Sequence, residues 1–249
     1  MNRSIQITSD PQRIISLVPS QTELLHHYGL EKEVVGITKF CIRPNEWFQS
    51  KTRIGGTKNI DLDKVRSLEP DLIIGNKEEN TKEDIAKLEK IAPVWMSDVN
   101  TLEDALDMNV EIGKMTNKEK IAKELNEAIL NEKEKCRSRN DQSVIYLIWN
   151  NPFMCAGKNT FIDSMIESAG LKNAITEERY PEITIEEISK NKPTLLLLST
   201  EPFPFDFNHL TKLKDHLPDT EVKLVDGEMF SWYGSRLLKS FAYFNEIFK

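Results

Sequence analysis

A chain of 249 residues with a formal charge of -7 at pH 7 lacks the basic surplus that phosphate contact requires, which excludes a general nucleic-acid binder. Its 39% hydrophobic and 29% charged residues describe an ordinary globular protein, long enough for two lobes of roughly a hundred residues each. The longest purely apolar runs, such as Leu195–Leu198, fall far short of the roughly 20 residues that cross a bilayer.

In chain order, the stretch before Leu17 holds neither the apolar core of a secretory signal nor an early cysteine to carry a lipid, so the chain as written reads as cytoplasmic. An apolar strand over Arg13–Val18 then leads through Pro19 into a helix stopped by Gly29, with Ser20 and Glu23 read as a capping box. Strands follow at Val34–Ile37, Leu72–Ile74 and Val94–Met96, the second of them preceded by a short helix that Asp61 starts and Pro70 ends. The polar segment Asn117–Arg139 has no Gly or Pro and carries Ile121, Leu125, Ala128 and Ile129 on one stripe. It reads as a single helix of about 33 Å. Beyond it come a strand at Val144–Trp149, a helix capped at Thr160 and stopped at Gly170, a helix from Thr184 to Pro193, and strands at Leu195–Leu198 and Val222–Val225.

One unit therefore occurs twice. IDLDKVRSLEPDLIIG from Ile60 aligns without a gap to ITIEEISKNKPTLLLLS from Ile183, and both early helices end in Gly followed by Leu, at Leu30 and Leu171. Strands alternating with helices predict an α/β fold of two lobes, each a central, mainly parallel sheet flanked by helices, joined by one long backbone helix. The expected boundaries are 1–116 for the first lobe, 117–139 for the connecting helix and 140–249 for the second lobe.

In open α/β lobes ligands sit beyond the carboxyl ends of strands, and aromatic residues gather there. The loops offer Phe40, Cys41, Arg43, Trp47 and Phe48; Trp149 and Phe153; Phe203, Phe205 and Phe207; and Phe230, Trp232, Tyr233 and Arg236. Flat aromatic faces suit a macrocycle, and the forked donors of Arg236 suit a phosphate or carboxamide. For each aromatic the competing role is core packing. Cys41 has two readings, a thiolate activated by Arg43 that ligates a soft metal, and a small buried hydrophobe. Cys41, Cys136 and Cys155 are an odd number without CxxC spacing, so free thiols are expected. The histidines show no zinc spacing: His26 and His27 are adjacent in a helix, His209 and His216 flank another, and all four read as solvated or core. No GxSxG, HExxH or GxGxxG occurs and Gly55–Lys58 lacks P-loop spacing, so no enzyme is expected.

Taken in order, RIISLVPSQTELLHHYGL, VVGITKF, GGTKNIDLDKVRSLEPDLII and VDGEMFSWYGSR resemble the helical-backbone (class III) solute-binding proteins of ABC importers, nearest to their cobalamin-binding members, from about Arg13 to the C-terminus. The resemblance implies two lobes joined by one helix, a ligand in the cleft between them, no intrinsic cofactor, and an ABC permease as partner; a monomer is expected. It places Phe40, Trp149, Phe230 and Arg236 on positions or loops that touch the ligand. It also makes Asp63 and Glu186, equivalent in the internal repeat, the counterparts of glutamates that dock on permease arginines. On physical grounds alone both are first-turn acids that favour the helix dipole. The expected cargo is cobalamin or a related corrinoid, with a ferric siderophore or haem as the alternative. An intracellular corrinoid-handling protein or enzyme is the alternative of another class. Such relatives are usually periplasmic or lipid-anchored, in conflict with the missing leader.

Overall fold

The computed structural model describes residues 10–137 and 142–248. The chain divides into two units, neither of them continuous in sequence. One gathers the chain as far as Val99, Glu103–Ala128 and Tyr233–Arg236; the other gathers Asn100–Leu102, Ile129–Trp232 and the chain from Leu237 onward.

The first unit is built on a parallel sheet with strand order Thr52–Arg53, Val34–Ile37, Ile14–Ser16, Leu72–Asn76, Val94–Ser97. The second has Lys172–Asn173, Ser143–Trp149, Leu195–Ser199 and Glu221–Val225, again parallel, with Met154–Cys155 added antiparallel to Ser143–Trp149. Apart from the edge strand Thr52–Arg53 and the added Met154–Cys155, the strand orders coincide, as the internal repeat requires. In each unit the strand after the repeated helix pairs with the first strand of its half.

Local chemistry explains the repeated elements. Asp61 and Thr184 are the N-caps, accepting from the backbone N–H of Lys64 and Glu187, and Thr184 completes a capping box with Glu187. Each helix is followed by a left-handed residue, Glu69 (φ 45°) and Lys192 (φ 47°), placed immediately before the proline that separates helix from strand in each copy. The first helices of the two halves end at Gly29 (φ 73°) and Gly170 (φ 78°), conformations that a Cβ disfavours. The strands are continuous apolar runs because helices cover both faces of a parallel sheet. Leu195 to Leu198 are all buried, each contributing about 1.5–3 kcal/mol relative to exposure.

Two expectations need correction. Ser20 is no cap: the helix is Pro19–His27, Val18 is its N-cap, and no side chain caps it, because proline at the first helical position moves the start one residue earlier. Nor is Asn117–Arg139 one helix. Asn117 adopts φ 56° and separates the helix Leu102–Met115 from Glu119–Glu134, whose 16 residues span about 24 Å. The expected end at Arg139 lies outside the described residues. The chain passes from one unit to the other inside this second helix, between Ala128 and Ile129.

Candidate functional site

The candidate surfaces are the carboxyl edges of the two sheets. In the first unit the loop after Val34–Ile37 alternates outward and inward. Phe40 is 50% exposed and Ile42 47%, while Cys41 between them is fully buried. The Cys41 sulfur lies 3.1 Å from both Thr22 Oγ1 and Thr38 Oγ1. Burial pushes its thiol pKa up, with the charge of Glu79 adding and the threonine bonds opposing. This corrects the reading of Cys41 as an Arg43-activated thiolate. It is a buried anchor that turns Phe40 and Ile42 outward. Arg43 is exposed. Trp47 is fully buried, donating from Nε1 to Glu31 at 2.5 Å and meeting His26 edge-on at 5.2 Å.

The segment Tyr233–Arg236 also belongs to this unit. Arg236 Nε donates to Glu23 Oε2 at 2.8 Å, and its side chain is only 3% exposed. The guanidinium is thus committed to an intramolecular carboxylate rather than displayed to a ligand phosphate or carboxamide. Tyr233 is buried as well, and burial pushes its phenol pKa up.

In the second unit Trp149 ends its strand 41% exposed and meets Phe203 edge-on at 5.7 Å. Phe203 packs on Phe205 at 4.8 Å; Phe205 is buried in the core, and Phe153 is half-buried against the same cluster. Phe207, the first residue of the helix Phe207–His216, is 75% exposed. Phe230, expected at the ligand, is instead a core residue. It is fully buried, with ring centroids 4.9 Å from Tyr146 and 4.6 Å from Phe244. Trp232 is mostly buried and donates from Nε1 to Glu201 Oε1 at 3.0 Å, and Ser231 Oγ donates to the same oxygen at 2.6 Å. Burial raises the pKa of Glu201, with the charges of Glu228 and Asp226 adding and the two donors opposing.

Asp63 and Glu186 stand in the first turns of their helices, both exposed. Asp63 Oδ1 accepts from Arg66 at 2.7 Å; among the described residues Glu186 has no such pair. Among the described residues no disulfide joins the cysteines and no group of three or more His, Cys, Asp or Glu could hold a metal, and no described helix is long and apolar enough to cross a membrane. Sequence reasoning missed the exposure of Ile42, the pair Glu23–Arg236, and the pairing of Asp206 with His209. The last had a legible signal, Asp three residues before His at a helix start.

Residues 14–219 match the family described as periplasmic binding protein, and the chain belongs to that family. Its members are solute-binding proteins, not enzymes, in keeping with the absence of catalytic motifs. Among its relatives, an uncharacterized ABC transporter substrate-binding lipoprotein of Bacillus subtilis is 28% identical over 209 residues, 79% of this chain and 66% of that protein. The chain thus spans just under two thirds of that lipoprotein's length. A vitamin B12-binding protein of Vibrio campbellii is 25% identical over 195 residues, covering 76% of this chain and 70% of that one. In structure, a possible iron-binding periplasmic solute-binding protein of Staphylococcus epidermidis superimposes with a TM-score of 0.82 at 22% identity, covering 97% of this chain and 100% of the other. A periplasmic catecholate-siderophore binding protein of Vibrio cholerae gives 0.81 at 16% identity (96% and 95%), and a periplasmic haem-binding protein of the same organism 0.80 at 19% (96% and 99%). These structural likenesses establish the shared two-domain α/β fold.

Proposed function

We propose that this protein is the substrate-binding component of an ABC importer and that its cargo is a bulky metal chelate, a corrinoid first among them. The observation that carries this reading is the exposure of flat and apolar side chains at the carboxyl edges of both sheets: Phe40 with Ile42 in one unit, Trp149 on Phe203 and Phe207 in the other. A sugar or amino acid would leave either surface wet, whereas a macrocycle can cover such a surface and keep polar substituents at its rim. The relative named for vitamin B12 supports the corrinoid. Haem or a ferric siderophore is the second reading, supported by the names of the structural neighbours. Location outside the cytoplasm, free or lipid-anchored, belongs to the same proposal, and fractionation of native cells tests it.

Of the residues first expected at the ligand, Phe40 and Trp149 remain proposed contacts, with Arg43 exposed in the loop that carries the former and Phe153 packed, like Trp149's partner Phe203, against the core of the second unit. Calorimetric titration with cyanocobalamin, cobinamide, haemin and a ferric catecholate tests the cargo. One corrinoid should bind per chain, with Trp149→Ala weakening it by about 2 kcal/mol. Tight haemin binding without corrinoid binding would replace the cargo, and binding of none of the four would overturn the reading.

A further inference from the structure

His209 lies in the helix that opens the exposed aromatic face of the second unit, and its ring is held on three sides. It meets Phe203 edge-on at 5.3 Å and Phe205 at 5.5 Å, and Nδ1 lies 2.6 Å from Asp206 Oδ1. The Asp206 backbone N–H also points at Nδ1, from 3.3 Å, but the 2.6 Å contact is much the shorter and a carboxylate can only accept, so the favoured tautomer carries its proton on Nδ1, donates it to Asp206 Oδ1 and leaves the lone pair on Nε2. The side chain is 29% exposed, and among the described residues none takes a hydrogen bond with Nε2. A carboxylate that fixes one nitrogen of an imidazole and raises the basicity of the other is the usual support of a metal-bound histidine.

Among the described residues no cluster could hold a bare metal ion, but a chelated metal needs no cluster. Its equatorial positions are filled by the macrocycle, and one axial donor suffices. We infer that His209 Nε2 is an axial ligand to the metal of the cargo, an iron porphyrin or a corrinoid with an exchangeable axial water; the inference rests on the metal-chelate reading above. The step is a ligand exchange: the metal–water bond breaks, the Nε2–metal bond forms, and no proton or electron is transferred. Trp149, through its contact with Phe203, belongs to the same aromatic cluster as His209 and would face the macrocycle.

Asp206 Oδ1 also caps the helix, accepting from the backbone N–H groups of Asn208 and His209 at 2.9 and 3.1 Å, so the test must separate capping from ligation. The full chain is titrated with haemin and with aquacobinamide, read by calorimetry and by absorption spectra. Wild type should shift the bands of the bound chelate to those of an imidazole adduct. His209→Gln keeps a residue suited to the cap, and so should keep the thermal midpoint while losing the shift, which added imidazole restores. Asp206→Asn should weaken haemin binding about tenfold. Wild-type bands in His209→Gln, or binding of either chelate by wild type without an imidazole signature, would overturn the ligation while leaving the cargo reading standing. Binding of neither chelate would remove the metal-chelate reading's support from these probes and the ligation with it.

Discussion

Phe230 packs between Tyr146 and Phe244 with no exposed surface, so its truncation removes core rather than a cargo contact. Phe230→Ala is expected to cost about 3–5 kcal/mol in urea unfolding. Unchanged stability with lost cargo affinity would return it to the site. Breaking the buried Glu23–Arg236 pair should be comparably severe, about 3–5 kcal/mol for Glu23→Ala, because the substitution removes a carboxylate bonded to a guanidinium that is 3% exposed. The cysteines differ chiefly in burial. Cys155 has its thiol pushed up to about 12, first by burial and then by the charge of Glu177, and Cys41 is raised by burial too. A raised value favours the thiol in the folded state, so this contribution to stability is complete below the ordinary thiol range and is lost as the pH climbs toward 12. Iodoacetamide at about pH 8 should therefore label the half-buried Cys136 first and reach Cys41 and Cys155 only after unfolding. Rapid native labelling of Cys41 would revive it as a reactive thiol.

The repeated helices are short, and their caps carry much of what makes them helices. Asp61→Ala and Thr184→Ala should each cost about 1 kcal/mol, and because they lie in different units the double variant should show the sum. A cost confined to one of them would show that the repeated caps are not equivalent in energy. Most elements were legible in the sequence because their signals are local. The strands announce themselves as apolar runs, and the stops at Gly29 and Gly170 follow from the left-handed φ that only glycine adopts cheaply. The misread elements depended on competition between neighbours. Pro19 displaced the cap from Ser20, and Asn117 turned left-handed within a stripe whose periodicity continues on both sides of it. Apolar spacing reports which face is buried; it does not report a break in the backbone.

For the molecule as a whole, the proposed importer function requires a second surface that recognises a permease, and we propose Asp63 and Glu186 for it. Both are exposed at equivalent places in the repeat, although Asp63 shares its carboxylate with Arg66. The double charge reversal Asp63→Lys, Glu186→Lys should abolish uptake in cells while leaving calorimetric chelate binding intact; loss of chelate binding would refute the assignment. By itself the sequence determined the duplication and the two parallel sheets, because hydrophobic runs, caps and turn glycines act over a few residues and keep their order along the chain. Only the tertiary structure decided which aromatic and charged residues face outward. Phe40 and Trp149 are displayed whereas Phe230 and Arg236 are consumed, because burial is set by partners distant in sequence, Tyr146 and Phe244 for one and Glu23 for the other, that no local pattern identifies.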